Sequence, residues 1–119
     1  MLKYIEIENL VIAELTDDII VISQTQDILD IIGDCFSHNC NRMIIKERNL
    51  HSDFFRLHTG LAGEILQKFS NYNFKLAITG DFSKFKSKSL QDFIHESNKG
   101  TNIFFTDNID KALNKIIKL

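Results

Sequence analysis

The amino-acid sequence predicts a single α/β domain: a mixed, mostly parallel sheet that opens with an antiparallel hairpin and carries about four helices. Three observations predict it. Short β-branched runs alternate along the chain with amphipathic stretches of helical period. The first two runs are separated only by a polar step at Asn9, which leaves room for a tight turn and nothing more. Finally, 119 residues hold one hydrophobic core and leave no room for a second.

Tyr4–Glu8 alternates with period two and Leu10–Leu15 is aliphatic, so the two read as paired strands. Ile19–Ile22, beyond the polar pair Asp17-Asp18, reads as an extension of the second strand or a further one. Ser23-Gln-Thr-Gln26 has the form of a capping box, in which serine and glutamine satisfy each other's free amides. The helix it opens presents Ile28, Ile31, Ile32, Cys35 and Phe36 on one face and ends in the turn formers Ser37–Asn41. Arg42–Lys46 is short and β-branched, which suits a strand buried on both faces.

Asp53–Tyr72 is the central stretch. Leu61, Ile65, Phe69 and Tyr72 recur at helical spacing, so one face is apolar. The helix starts at Asp53, a good cap, or at Thr59. Gly63 breaks a local rule inside it, since glycine costs roughly 0.5–1 kcal/mol relative to alanine there. Close packing of this helix on a sheet accounts for the exception. Phe74–Thr79 is a second buried strand, stopped by Gly80-Asp81, and a polar loop leads to a helix over Ser87–Asn98 with Leu90, Phe93 and Ile94 inward. Gly100 stands at its C-terminal cap. Asn102–Thr106 is the last strand. Thr106 or Asp107 caps a final helix with Ile109, Ala112, Leu113, Ile116 and Ile117 on one face and Lys111, Lys115 and Lys118 on the other.

Composition excludes several classes of function. A formal net charge of −2 gives no field that draws the chain to nucleic acid or to an anionic membrane surface. No apolar run approaches the roughly 18 residues of a membrane span, and the N-terminus alternates charged and aliphatic residues, unlike a signal peptide. A cytoplasmic location is expected. Two cysteines do not make a disulfide framework, and Cys35, His38 and Cys40 lack the further ligands of a tetrahedral site. No metal or cofactor is expected.

The order of elements resembles that of STAS domains, the fold of bacterial anti-sigma-factor antagonists. In those proteins a phosphorylatable Ser or Thr stands directly before a glycine at the start of the second helix, and Thr59-Gly60-Leu61-Ala62-Gly63 falls at that place. The chain departs from the motif in having Leu57-His58 where an acidic residue usually precedes, and Phe54-Phe55 in a longer lead-in. The resemblance implies a non-enzymatic regulatory or protein-interaction domain with Thr59 as a phosphoswitch. A second resemblance is closer. Asp53-Phe-Phe, Thr59–Lys68, Leu76-Ala-Ile, Gly80-Asp-Phe-Ser83, Ser87-Lys-Ser-Leu90 and the run from Asp92 to Gly100 are similar to a family of small bacterial proteins known as domain of unknown function 4180. It implies fold and class and brings no activity with it.

In open α/β sheets ligands bind beyond the carboxyl ends of the parallel strands. Lys46–Gly60, Gly80–Ser89 and Thr106-Asp107 should converge there. The candidates for a switch or ligand contact are Asp53, Thr59, Gly60, Gly63 and Glu64 around the central helix, with Gly80, Asp81, Ser83, Ser87, Lys88 and Ser89 in the following loop. Hydroxyls near helix N-termini suit phosphate or carboxylate; the ordinary role of such residues is capping. Gly80 lies eight positions before Lys88, so this is no P-loop. Lys84, Lys86 and Lys88 with Phe82 and Phe85 form a basic loop; such lysine runs ordinarily face water, while the two phenylalanines point toward a partner surface. His58 beside Thr59 does not make a nucleophile–base pair, because neighbouring side chains diverge.

Two functions follow as expectations: the regulatory or protein-interaction domain, and a binder or enzyme for a small anionic nucleotide or phosphometabolite at the same rim. A homodimer is permitted through an edge strand or an exposed Phe54-Phe55 patch.

Overall fold

Glu8 and Asn9 both take left-handed backbone conformations, with φ of 51° and 69°, and this two-residue turn joins β1 (Leu2–Ile7) to β2 (Leu10–Leu15). Two successive positive φ values characterise a type I′ turn, whose twist matches that of the strands it connects. The expected hairpin is therefore present, with Leu2 opposite Leu15 and Ile7 opposite Leu10. The computed structural model describes residues 1–118.

β3 (Arg42–Lys46), β4 (Lys75–Thr79) and β5 (Ile103–Thr106) add in parallel, giving the sheet order β1-β2-β3-β4-β5. Three helices make the crossovers, α1 (Thr25–Phe36), α2 (Leu61–Asn71) and α3 (Lys88–Lys99), and α4 (Ile109–Ile116) follows β5. Right-handed crossovers that always step in one direction place their helices on one face of a sheet. Accordingly Ile28, Ile32, Ala62, Ile65, Phe69, Leu90 and Ile94 of α1–α3 share a core with Met43, Ile45, Leu76 and Ile78. α4 is not a crossover and takes the other face, where Ala112 and Ile116 meet Ile12, Ile44, Ala77 and Phe104. β3 is buried on both sides, as its composition implied.

α1 and α2 end alike. Asn39 and Asn73 both have φ of 55°, and the next amides, of Cys40 and Phe74, donate to Cys35 and Phe69 at 2.9 and 2.8 Å. This is the Schellman motif, which brings the side chains at its two ends together. Cys35 meets Cys40 in one case; Phe69 meets Phe74 edge-on at 5.7 Å in the other.

Several expectations are corrected. Ile19–Ile22 forms no strand: Ile22 makes an isolated bridge to Leu50, and Ile19 and Ile20 are 66% and 52% exposed. The carbonyls of Asp17 and Ile19 bond instead to the side chain of Asn49. At the start of α1 the box belongs to Asp27, whose carboxylate accepts from the amides of Ser23 and Gln24 at 2.9 and 3.2 Å. Asn108, not Thr106 or Asp107, caps α4 by accepting from Lys111. Gly100 is the C-cap of α3, as expected, and its backbone there is extended.

Phe54 and Phe55 are 0% and 7% exposed, so they offer no dimer patch. α2 starts at neither Asp53 nor Thr59. Two short 3-10 turns, Ser52–Phe55 and Leu57–Thr59, precede it, Gly60 at φ 81° reverses the chain, and the helix begins at Leu61. Gly63 faces solvent, and a Cβ there would meet nothing within 4 Å, so helix-on-sheet packing does not explain it; Ala62, at 1% exposure, is the buried neighbour. Gly63→Ala is expected to stabilise the protein by about 0.5–1 kcal/mol, measured as a higher midpoint in urea.

Candidate functional site

The chain leaving β4 turns to α3 on one face of the sheet, and the chain leaving β5 turns to α4 on the other. Adjacent connections that part in this way open a crevice beyond the strand ends, the same geometry that creates ligand sites at the switch points of doubly wound sheets. Here the sequential strand order has no reversal, and the divergence of the last two connections takes its place. The crevice has two lobes of about 630 and 360 Å³, and Gly80, Asp81 and Asp107 line both.

Backbone register builds its floor. Lys46, Thr79 and Thr106 are partners across three strands, and alternation puts them on the α4 face with Ile44, Ala77 and Phe104. Lys46, Arg48 and Lys84 line the smaller lobe. Phe82, Phe105, Lys111, Asn114 and Lys115 line the larger. Gly80 passes so close to the neighbouring wall that a Cβ would lie 2.7 Å from the Cβ of Glu47. Gly80→Ala should therefore force the walls apart and cost about 1–3 kcal/mol, read as a lowered melting temperature.

The walls are fastened. Asp81 accepts from the Ser83 amide at 3.1 Å and the Ser83 hydroxyl at 2.5 Å, and that hydroxyl holds its carboxyl below the usual carboxylate range. Gln91 donates to the carbonyls of Phe82 and Phe85 at 2.7 and 2.9 Å. Lys84 pairs with Glu47 at 2.6 Å. Asn98 accepts from the amide of Phe105 at 2.7 Å and donates to its carbonyl at 3.1 Å. It thus occupies the hydrogen-bonding edge of β5 as a further strand would. The rings of Phe82 and Phe85 turn inward, Phe85 stacking on Phe55 at 4.7 Å and Phe82 meeting Phe105 edge-on at 5.2 Å. The basic loop therefore does not offer its phenylalanines as a partner surface.

Five cationic side chains, Lys46, Arg48, Lys84, Lys111 and Lys115, face three carboxylates, Glu47, Asp81 and Asp107, around the two lobes. Asp18 pairs with Lys46 and Arg48 at 3.4 and 3.5 Å, so the cleft keeps a small excess of positive charge in a chain whose formal charge is −2. Gly80, Asp81 and Ser83 are the sequence candidates that it brings together.

The others lie elsewhere. Thr59 is exposed, and its hydroxyl donates to the carbonyls of Asp53 and Arg56 at 2.7 and 2.9 Å while accepting from the amide of Leu61 at 3.3 Å. Asp53 pairs with Arg56 at 3.4 Å. Gly60 supplies the reversal before α2, and Gly63 and Glu64 lie on that helix's exposed side. Ser87 caps α3 through the amide of Leu90, Lys88 pairs with Asp92 at 2.8 Å, and Ser89 is exposed in its first turn.

Cys35 and Cys40 are 0% and 1% exposed. Cys40 donates to the carbonyl of Arg42 at 3.1 Å, and the hydrogen bond from Cys35 to Cys40, with burial, pushes the Cys35 thiol up. They are packing residues. No group of three or more metal-ligating side chains occurs among the described residues, and no helix among them is long and apolar enough to cross a membrane. Sequence reading missed Asn49, Gln91, Asn98 and Asn114, because an isolated amide in a polar stretch carries no pattern of its own.

A family model described as Domain of unknown function (DUF4180) matches residues 7–116. No curated protein and no solved structure gives a significant match, so the likeness to STAS domains rests on the order of elements and the Thr59-Gly60 step.

Proposed function

Because the chain belongs to the family described as Domain of unknown function (DUF4180), whose description names no activity, we propose a function from the cleft: a non-enzymatic regulatory domain that binds a small anionic metabolite between the ends of β4 and β5. The observation that carries this reading is a concave, braced crevice with an excess of cationic side chains. The larger lobe, at about 630 Å³, falls in the range of small-molecule sites, roughly 300–1,000 Å³.

A thermal-shift screen of nucleotides, phosphosugars and acyl carriers tests it. A ligand of the native state raises the melting temperature with its concentration, by about 2.7 kcal/mol of added stability at a hundredfold excess over Kd. No shift from any member of the panel would remove the reading.

One observation favours a second reading, a protein-interaction switch at Thr59. Its exposed hydroxyl ties the two 3-10 turns together. Phosphorylation would replace that donor with acceptor oxygens and about −1.5 to −2 of charge, which unties the turns ahead of α2. Pull-down from a host lysate with wild type, Thr59→Glu and Thr59→Ala bears on it. Equal partner recovery from all three removes the switch. A homodimer, if one forms, has β1 as its available edge, since β1 pairs only with β2.

A further inference from the structure

The two lobes differ in chemistry and share a waist. The larger is lined by Phe82, half-buried where it packs edge-on against Phe105, with the Asn114 carboxamide on its wall. The smaller is polar and holds the cations Arg48 and Lys84. Asp81 and Asp107 line both. Both Ser83 contacts to Asp81 fall on one oxygen, Oδ1, which leaves Oδ2 to accept from a hydroxyl.

We propose that the two lobes form one site for a nucleoside monophosphate, with the base against the half-buried Phe82, the phosphate at Arg48 and Lys84, and the ribose hydroxyls on Asp81 and Asp107. This rests on the anion-binding reading of the cleft and deepens it. Each part of the ligand has the group its chemistry requires. A planar base gains from an aromatic face and from an amide that reads its edge. A ribose diol donates to carboxylates, as in dinucleotide-binding folds. Phosphate takes charge-assisted hydrogen bonds from guanidinium and ammonium groups. A simple phosphate would leave the larger lobe unused. A plain apolar molecule would make no use of the cations and carboxylates that line the smaller lobe.

Isothermal titration of the full chain with AMP, GMP, CMP and UMP tests this, with ribose phosphate, adenosine, dideoxyadenosine monophosphate and inorganic phosphate in parallel. At least one nucleoside monophosphate should bind about tenfold or more tightly than ribose phosphate, adenosine or the dideoxy analogue. Lys84→Ala should weaken the monophosphate about tenfold and leave adenosine unchanged. Circular dichroism of the variant checks that it folds, and Arg48→Ala serves as the independent variant. Ribose phosphate or inorganic phosphate binding as tightly as every nucleotide would overturn the assignment and leave the anion site standing. So would a panel in which only phosphosugars or acyl carriers bind. Silence from the whole anionic panel would overturn both.

Discussion

Phe55→Ala is expected to lower stability by about 3–5 kcal/mol, the usual cost of removing a buried aromatic ring. Phe55 is 7% exposed and touches Phe54 at 5.0 Å, Phe85 at 4.7 Å and Phe82 at 6.2 Å between ring centroids. It backs the loop that forms one wall of the cleft. Truncation therefore leaves a void and also withdraws the support that orients Phe82. Urea unfolding measures the first effect. A domain of this kind has only about 5–15 kcal/mol in total, so the variant should unfold at markedly lower denaturant. Ligand affinity measured on the folded fraction reads the second effect. A loss below about 1 kcal/mol would show that the Phe55–Phe85 stack does not brace the wall.

Asn49→Ala is expected to cost about 3 kcal/mol, for a different reason. The side chain is fully buried; its oxygen accepts from the amide of Lys46 at 2.9 Å and its nitrogen donates to the carbonyls of Asp17 at 2.8 Å and Ile19 at 3.0 Å. It fixes the segment after β2 to the end of β3, where a strand pairing is missing. Alanine leaves the amide of Lys46 and the carbonyl of Ile19 without that partner, while the carbonyl of Asp17 keeps Lys46 Nζ at 2.8 Å. The melting temperature should fall by roughly 10 °C for that loss.

Asn49→Asp sharpens the test. It keeps the shape and the acceptor but turns both donors into a buried negative charge facing two carbonyls. Burial and those carbonyls would raise the new carboxyl's pKa in the folded state above its unfolded value. The folded state then binds the proton more tightly, so this variant alone should regain stability as pH falls through the raised value towards about 4. If the variants match wild type in stability, the clamp is a lesser contact than its geometry implies.

Which features were legible in the sequence depended on how local their causes are. The Asn9 turn, the strand Arg42–Lys46 and the Ser87 cap are set by residues a few positions apart, and each appears as read. The start of α2 misled because Phe54, Leu57 and Leu61 keep helical spacing while the backbone runs through two 3-10 turns. Gly60, the one glycine at positive φ, was the available signal. Gly63 misled in the other direction: it looked like a packing requirement and sits in open space.

The site was harder to read. The rule about strand ends pointed to the edge of the sheet where the crevice lies and supplied Gly80, Asp81 and Ser83 from its lining. It could not exclude Thr59, since nothing local says that its hydroxyl is taken up by carbonyls of its own turn. The second wall comes from Asn114 with Lys111 and Lys115, and the two lysines read as the solvent side of a terminal helix. They border the cleft only because α4 covers the face that α1–α3 leave open. Asn49 and Asn98 work on backbone from other elements, and no short window shows that.

The most direct test of the anion-binding cleft is an amide chemical-shift titration of the isotope-labelled chain with AMP, and with ribose phosphate alongside. The account predicts saturable shifts at Gly80–Ser83 and at Thr106–Lys111, on both sides of the crevice, with little change at Leu57–Glu64. Shifts confined to the Thr59 turns, or none with either compound, would contradict it.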